Sequence, residues 1–310
     1  MEYLKTNEIS QPFPSVFIII VNWNGYNDTL ECVESLYKIN YKNYKVILID
    51  NGSDTNEVDN ICKRFPLSVV IRSKENLGFS GGNNLGIEYS IKSGAEYVLL
   101  LNNDTVVEVD FLNNLVENII KNDQVGIAVP KINFYSNRNI IWYAGGAISK
   151  LRGSGFTTGF GEQDSKYFEN KYVTFATGCC LLVRTDVIKK IGLMDEKYFL
   201  YLEDLDYCLR NILAGYKILF VAQSKIYHKA SISTKRYNVL LPLYYVTRNR
   251  FYFISKFYKK YFYFIFIVIT AIFIFKSIIW LITDRRKKIK VVKKAFKDFL
   301  DNNMGKSVEI

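Results

Sequence analysis

Few residues in this chain combine type and position in a way that suggests chemistry. The single histidine, His228, follows the acidic run Glu203-Asp204-Leu205-Asp206, 24 positions beyond Asp204. Far upstream, the apolar run Leu99-Leu100-Leu101 passes through Asn102-Asn103 into a lone carboxylate, Asp104. A carboxylate and an imidazole can share a divalent cation, and a second acid can take a proton from an attacking group. These are the parts of a metal-assisted group transfer.

Positioning them falls to alternating strands and helices. Residues 16–21 form a continuous apolar, β-branched run, the pattern of a central parallel strand, and stop at the turn signal Asn22-Trp23-Asn24-Gly25. A helix is expected over 27–39, strands over 46–49 and 69–72, a helix over 82–93 and a strand over 97–101. Each expected strand ends in Asn, Asp or Gly, where polar side chains converge, as ligand sites do at strand C-termini of α/β sheets. Residues 134–171 read as loop with edge strands, 173–183 as strand, 185–192 and 206–214 as helices, and 217–222 as a strand before His228.

Charge and hydropathy set the C-terminal part apart. Residues 229–310 carry 18 Lys and Arg against 4 Asp and Glu, whereas residues 1–228 carry 23 against 26. The formal net charge of +11 therefore belongs to the tail. Residues 261–282 are apolar at nearly every position apart from Lys276, with Lys259-Lys260 before them and Arg285-Arg286-Lys287-Lys288 after. Aromatic and basic residues bracketing an apolar stretch favour a membrane interface over nucleic acid. Shallow in-plane insertion is preferred to a crossing, because a crossing sets either the catalytic part or the 285–297 cluster against the positive-inside bias. The five cysteines are scattered without a C-x-x-C pair, which points to reduced buried thiols rather than a disulfide framework or zinc site. Residues 1–14 are polar with no apolar signal core, so the catalytic part is expected in the cytoplasm.

At the level of motifs, Asn22-Trp23-Asn24, Asp50-Asn51-Gly52-Ser53, Asn76-Leu77-Gly78-Phe79, Gly82-Asn83-Asn84 and Asn102-Asn103-Asp104 resemble, in order, the nucleotide half of the family 2 inverting glycosyltransferases. Gly192-Leu193-Met194-Asp195-Glu196 and Tyr201-Leu202-Glu203-Asp204 are similar to its acceptor half. His228 followed by residues 245–250 resembles its rhamnosyltransferase-like subgroup; the likeness runs from about residue 13 to 253.

That resemblance implies an α/β glycosyltransferase A-type fold: a Rossmann-like mixed sheet flanked by helices over 15–250, an N-terminal extension over 1–14, and a membrane-associated helical tail over 251–310. It implies transfer of a sugar, dTDP-rhamnose or a UDP-sugar being the expected donors, to a glycan or polyprenyl-diphosphate-linked acceptor in cell-surface polysaccharide synthesis at the cytoplasmic membrane face. Asn22, Asp50, Gly78, Asn83 and Asn103 would line the nucleotide site. Asp104 and His228 would hold Mg²⁺ or Mn²⁺, with one carboxylate where the family motif commonly has two. Asp204 would be the general base, with Glu203 and Asp206 in support and Asp195 near the acceptor. The first turn lacks both the Arg/Lys-bearing Gly-rich loop of a nucleotidyltransferase and the G-x-G-x-x-G of a dinucleotide dehydrogenase. A non-catalytic, membrane-bound sugar-nucleotide-binding scaffold remains the alternative.

Overall fold

A computed structural model describes residues 13–55, 57–65, 69–230, 240–283 and 285–307; most of the expected N-terminal extension lies outside them. Its centre is a ten-stranded mixed sheet. Strands β1 (Val16–Asn22), β2 (Tyr44–Asn51), β3 (Val69–Ser73) and β4 (Tyr97–Asn102) pair in parallel in the order β3-β2-β1-β4. Helices α1 (Tyr26–Leu36), α2 (Glu57–Arg64) and α3 (Gly78–Lys92) connect them. The apolar runs are buried: Val16, Ile18, Ile19 and Ile20 have no exposed surface. Gly86 lets α3 lie close on the sheet, since a Cβ there would sit 2.6 Å from a methyl of Ile19.

The second half of the sheet departs from parallel winding. β5 (Thr105–Val107) and α4 (Phe111–Ile119) lead into β6 (Val125–Phe134), with β7 (Ile141–Tyr143) on its edge. The small hairpin β8 (Gly146–Ser149) and β9 (Ser154–Thr157) stands apart, and β10 (Lys171–Val173) closes the far edge. β11 (Cys180–Arg184) inserts antiparallel between β4 and β6. Helices α5 (Thr185–Ile191) and α6 (Glu203–Leu213) then lead to β12 (Lys217–His228), which lies parallel to β6 and antiparallel to β5. The strand expected over 217–222 thus continues to His228 through an irregularity between Val221 and Lys225. All five cysteines are free, and four are buried.

Among the described residues three α-helices follow: α7 (Leu240–Phe257), α8 (Phe262–Ile282) and α9 (Arg286–Leu300). The expected division at residue 250 falls inside α7, which buries Arg248 and Asn249 against residues 197–201 of the preceding domain and Phe251 against the phenylalanines of the following helices. α8 is long and apolar enough to cross a membrane, yet buries only Ile265 and Ile269. The rings of Phe262 and Phe299 lie 6.4 Å apart and those of Phe266 and Phe296 5.5 Å, so α9 runs back along α8 as a hairpin. The end of α9 and the residues after it turn back onto α7 and the domain: Asp298 of α9 accepts a hydrogen bond from Tyr244 of α7 (2.5 Å), Gly305 N–H donates to Lys197 O of the domain (2.8 Å), and Ser307 N–H donates to Tyr245 Oη of α7 (3.0 Å).

Candidate active site

The parallel register aligns the ends of β1, β2 and β4, with Asn22 opposite Asp50 and Val21 opposite Asn102. Asn22 is fully buried and braces the first turn: Thr29 Oγ1 (2.7 Å) and Gly25 N–H (3.2 Å) donate to its Oδ1, and its Nδ2 donates to Ser53 Oγ (3.2 Å). Asn103 Nδ2 donates to Thr29 Oγ1 (2.9 Å), so Thr29 joins the ends of β1 and β4. This link was not among the expected site residues; its one sequence signal is a hydroxyl in the first turn after β1. Asp50 is buried, accepts from Ser53 N–H (3.1 Å), and lies 3.8 Å from Arg72 Nε. Its other acceptor positions remain for a ligand, since an ionised carboxylate offers about four lone-pair sites.

Gly78 and Asn83 are placed differently. Gly78 has a φ of +73°, and a Cβ there would lie 2.2 Å from Phe199 O. Its smallness admits the 199 loop, whose Phe199 O accepts from Phe79 N–H at 2.7 Å. Asn83 is 2% exposed and donates to Phe79 O of its own helix (2.9 Å). Gly78 thus shapes the seam with the 199 loop, whereas Asn83 bonds within α3.

The antiparallel pairing of β5 and β12 sets Thr105 opposite His228 and brings Asp104 to the imidazole. His228 Nε2 lies 3.2 Å from Asp104 Oδ1, with both residues more than nine-tenths buried. Trp142 meets the imidazole edge-on at 4.5 Å between ring centres, and Nδ1 is buried without a hydrogen-bond partner. Two ligands in cis positions on an octahedral ion with bonds of about 2.1 Å stand roughly 3 Å apart, so this pair fits a small divalent cation. Among the described residues no group of three or more His, Cys, Asp or Glu could hold a metal. The pair therefore needs ligands from substrate or water, as Mg²⁺ commonly takes them from phosphates.

Asp204 sits near the start of α6, where the helix dipole favours a carboxylate. Its Oδ2 accepts from Gly178 N–H (3.0 Å) and its Oδ1 from Leu205 N–H (2.8 Å). Through Gly178 and Cys179, whose carbonyl accepts from Asn102 N–H (2.9 Å), it is tied to the strand end that carries Asp104. Burial pushes the Asp204 carboxyl above the usual aspartate value, and the two backbone N–H groups oppose the rise. Burial and the adjacent Asp204 charge hold Glu203 well above the usual glutamate value, and its Oε2 is buried with no partner. Both acids line a cavity of about 280 Å³ with Ser154, Phe175, Val246 and Arg250.

The backbone before α6 is strained. Phe199, Tyr201 and Leu202 all have positive φ (61°, 68° and 71°), which non-glycine residues seldom adopt. Asn249 on α7 holds this segment, its Nδ2 donating to the carbonyls of Tyr198 (2.8 Å), Leu200 (2.9 Å) and Tyr201 (2.9 Å). Asp195 and Asp206, expected near the acceptor and the base, are engaged elsewhere. Lys256 Nζ lies 2.6 Å from a carboxylate oxygen of each, Tyr252 Oη donates to Asp195 (2.9 Å), and Arg210 Nε bonds fully buried Asp206 (2.6 Å). They fasten α7 to the domain.

Comparison with known proteins agrees with this architecture. A model of glycosyl transferase family 2 matches residues 17–192, more than half of the chain. The chain belongs to glycosyltransferase family 2. The low-salt glycan biosynthesis hexosyltransferase Agl10 of Haloferax volcanii is 26% identical over 244 residues, 76% of this chain and 73% of that protein. The dTDP-rhamnosyl transferase RfbF of Shigella flexneri is 23% identical over 249 residues, 78% and 80% of the two. N-acetylglucosaminyl-diphospho-decaprenol L-rhamnosyltransferase of Mycobacterium tuberculosis is 25% identical over 210 residues, 62% and 68%. Among solved structures, GalNAc-T7 with UDP, GalNAc and Mn²⁺ superposes with a TM-score of 0.58 at 21% identity, over 69% of this chain and 43% of that one. The mannosyltransferase PcManGT from Pyrobaculum calidifontis, in complex with GDP-Man and Mn²⁺, gives 0.57 at 13%, over 78% and 64%. The fold is of the glycosyltransferase A type, and the protein is a glycosyltransferase.

Proposed function

We propose that this glycosyltransferase moves a hexosyl group, rhamnosyl by its relatives, from a nucleoside-diphosphate donor to a lipid-linked glycan acceptor at the cytoplasmic membrane face, with inversion. The observation that carries the reading is Asp104 and His228 in contact at one strand end, with Asp204 tied to that same end through Gly178. Asp50 accepts the imide N–H of a uracil or thymine, while Asn22 and Asn103 fix the turn that frames the nucleotide and Gly78 and Asn83 shape its wall. Asp104 and His228 hold Mg²⁺ or Mn²⁺. Such an ion stabilises the charge that grows on a departing diphosphate. Asp204 takes the proton of the acceptor hydroxyl, and burial raises its affinity for protons, the direction that favours a general base. Attack from the Asp204 side, opposite the leaving group, inverts the anomeric configuration in one displacement.

The tail supports the membrane reading. Phe264, Ile267 and Phe275 on α8 are each more than 60% exposed, and Arg286, Lys287, Lys290, Lys293 and Lys297 on α9 are exposed beside them. Because residues after α9 return to the domain, an α8–α9 hairpin laid into one leaflet accommodates both faces, whereas a single crossing strands α9 on the far side. The test is a donor screen read by mass spectrometry with Mg²⁺, Mn²⁺ or EDTA, alongside Asp204→Asn. Product from one nucleotide sugar, lost in EDTA and lowered ~10²–10⁴-fold in the variant, is expected. Wild-type turnover by Asp204→Asn would remove the base assignment.

A further inference from the structure

The imidazole of His228 lacks the brace that a metal-holding histidine usually has. Such a residue donates its second ring N–H to a carboxylate or carbonyl, which fixes the plane of the ring. Here Nδ1 is buried and no described residue hydrogen-bonds it, so the ring takes its bearing from the Trp142 edge and from the backbone that carries it. That backbone is held on both sides. Tyr135 N–H donates to His228 O (2.9 Å), and Lys229 N–H donates to Asp104 O (3.0 Å). What anchors Lys229 in turn lies on another element. Its side chain is only 7% exposed, and its Nζ stands 2.8 Å from Asp28 Oδ1 and 2.5 Å from Glu31 Oε2, both on α1. The two acids are three positions apart, on one helix face. Tyr135 Oη donates to the other oxygen of Glu31 (2.6 Å), so both backbone contacts beside His228 lead to the same helix. A buried ammonium needs its charge met, and two carboxylates meet it with strong, directional bonds.

We propose that Lys229 is a positioning residue of the cation site: its buried ammonium pins the end of β12 to α1 and so holds His228 Nε2 beside Asp104, where the two can share one ion. The pin replaces, through the backbone, the ring hydrogen bond that His228 lacks. It acts on the cation rather than on the nucleotide, because the first turn of α1 has its own brace in Asn22, Thr29 and Asn103. This assignment rests on the reading of Asp104 and His228 as metal ligands.

Calorimetry supplies the test, and it needs no turnover. The full chain in detergent is titrated with UDP and with dTDP, in Mn²⁺ and again in EDTA; the ratio of the two affinities measures how well the cation is held. Wild-type protein should bind nucleotide more tightly in Mn²⁺. Lys229→Met keeps the length of the side chain but not its charge, and should lower that ratio by about tenfold or more while affinity in EDTA stays at the wild-type value. Lys229→Arg, which keeps the charge, should restore most of it. If Lys229→Met fails to fold, Glu31→Gln decides: Glu31 is 40% exposed, and the change should lower the ratio several-fold. An unchanged ratio in Lys229→Met, or in Glu31→Gln where that variant must decide, overturns the pin. So does an equal fall in Mn²⁺ and in EDTA, which marks a scaffold residue with no particular hold on the cation. A wild type that binds neither nucleotide, or binds equally in both media, removes the metal reading itself and the pin with it.

Discussion

Asp204 and Glu203 are adjacent, yet their surroundings set them different tasks. Asp204 keeps two backbone donors that stabilise its anion, whereas Glu203 has a buried oxygen with none. If Asp204 is the base, kcat/KM falls as pH drops through its raised value, giving an acid limb above the ordinary aspartate range; a pH–rate profile checks this. Glu203 makes the opposite prediction for stability. Its folded-state value is raised, so burial favours the protonated form and its stabilising effect is lost as pH rises through that value. Glu203→Gln should therefore flatten the decline of Tm with increasing pH relative to wild type, and parallel melting curves across pH would reject it. The strand-end carboxylates were legible because apolar runs stop abruptly at them. The engagement of Asp195 and Asp206 was not, because their partner Lys256 lies 61 and 50 positions downstream.

Among the elements, α7 does more than lead into the tail. It supplies Asn249 to three carbonyls of the strained 198–201 segment and Lys256 to two acids. Asn249→Ala leaves those carbonyls short of a donor, a cost of about 1–3 kcal/mol. As a positioning residue it should lower kcat while leaving the donor KM near its wild-type value; an equal loss in both, or none in either, would assign it a purely structural or dispensable part. Reading the sequence found β1 to β4 and the helices α1 and α3, since each strand is a clean apolar run with a polar stop, but not α2 (Glu57–Arg64) between β2 and β3. β6 escaped because Pro130 and Lys131 interrupt its pattern, and proline is uncommon in a central strand. The sheet accommodates it where β12 itself loses register, between Val221 and Lys225. Antiparallel insertion of β11 likewise has no local signature, for it depends on which edge of β4 remains open.

For the molecule as a whole, the apolar α8 and the basic α9 form one projecting surface whose far end folds back on the domain. Replacing Phe264, Ile267, Ile274 and Phe275 together with serine should shift the protein from the membrane to the soluble fraction on sedimentation while nucleotide binding persists, because these side chains are exposed. Each large apolar side chain withdrawn from water is worth about 1.5–3 kcal/mol, so losing four of them weakens attachment substantially. Continued pelleting with anionic vesicles would locate the attachment elsewhere. The helical pattern of the tail was plain in the sequence, but its docking was not. Tyr244 to Asp298 and Arg248 to Asn303 O are contacts between segments some fifty residues apart, with the hairpin between them.

The final residues of the tail also have a reach that matters for anyone handling the protein. Lys306 pairs with Glu75, just before the Asn76–Gly78 bend, while Gly305 bonds Lys197, just before the strained loop. A short stretch near position 306 thus touches both that bend and that loop, through one exposed ion pair and one backbone hydrogen bond. Affinity tags fused beyond it, or proteolytic trimming during purification, crowd or remove these two contacts even when the sheet stays whole.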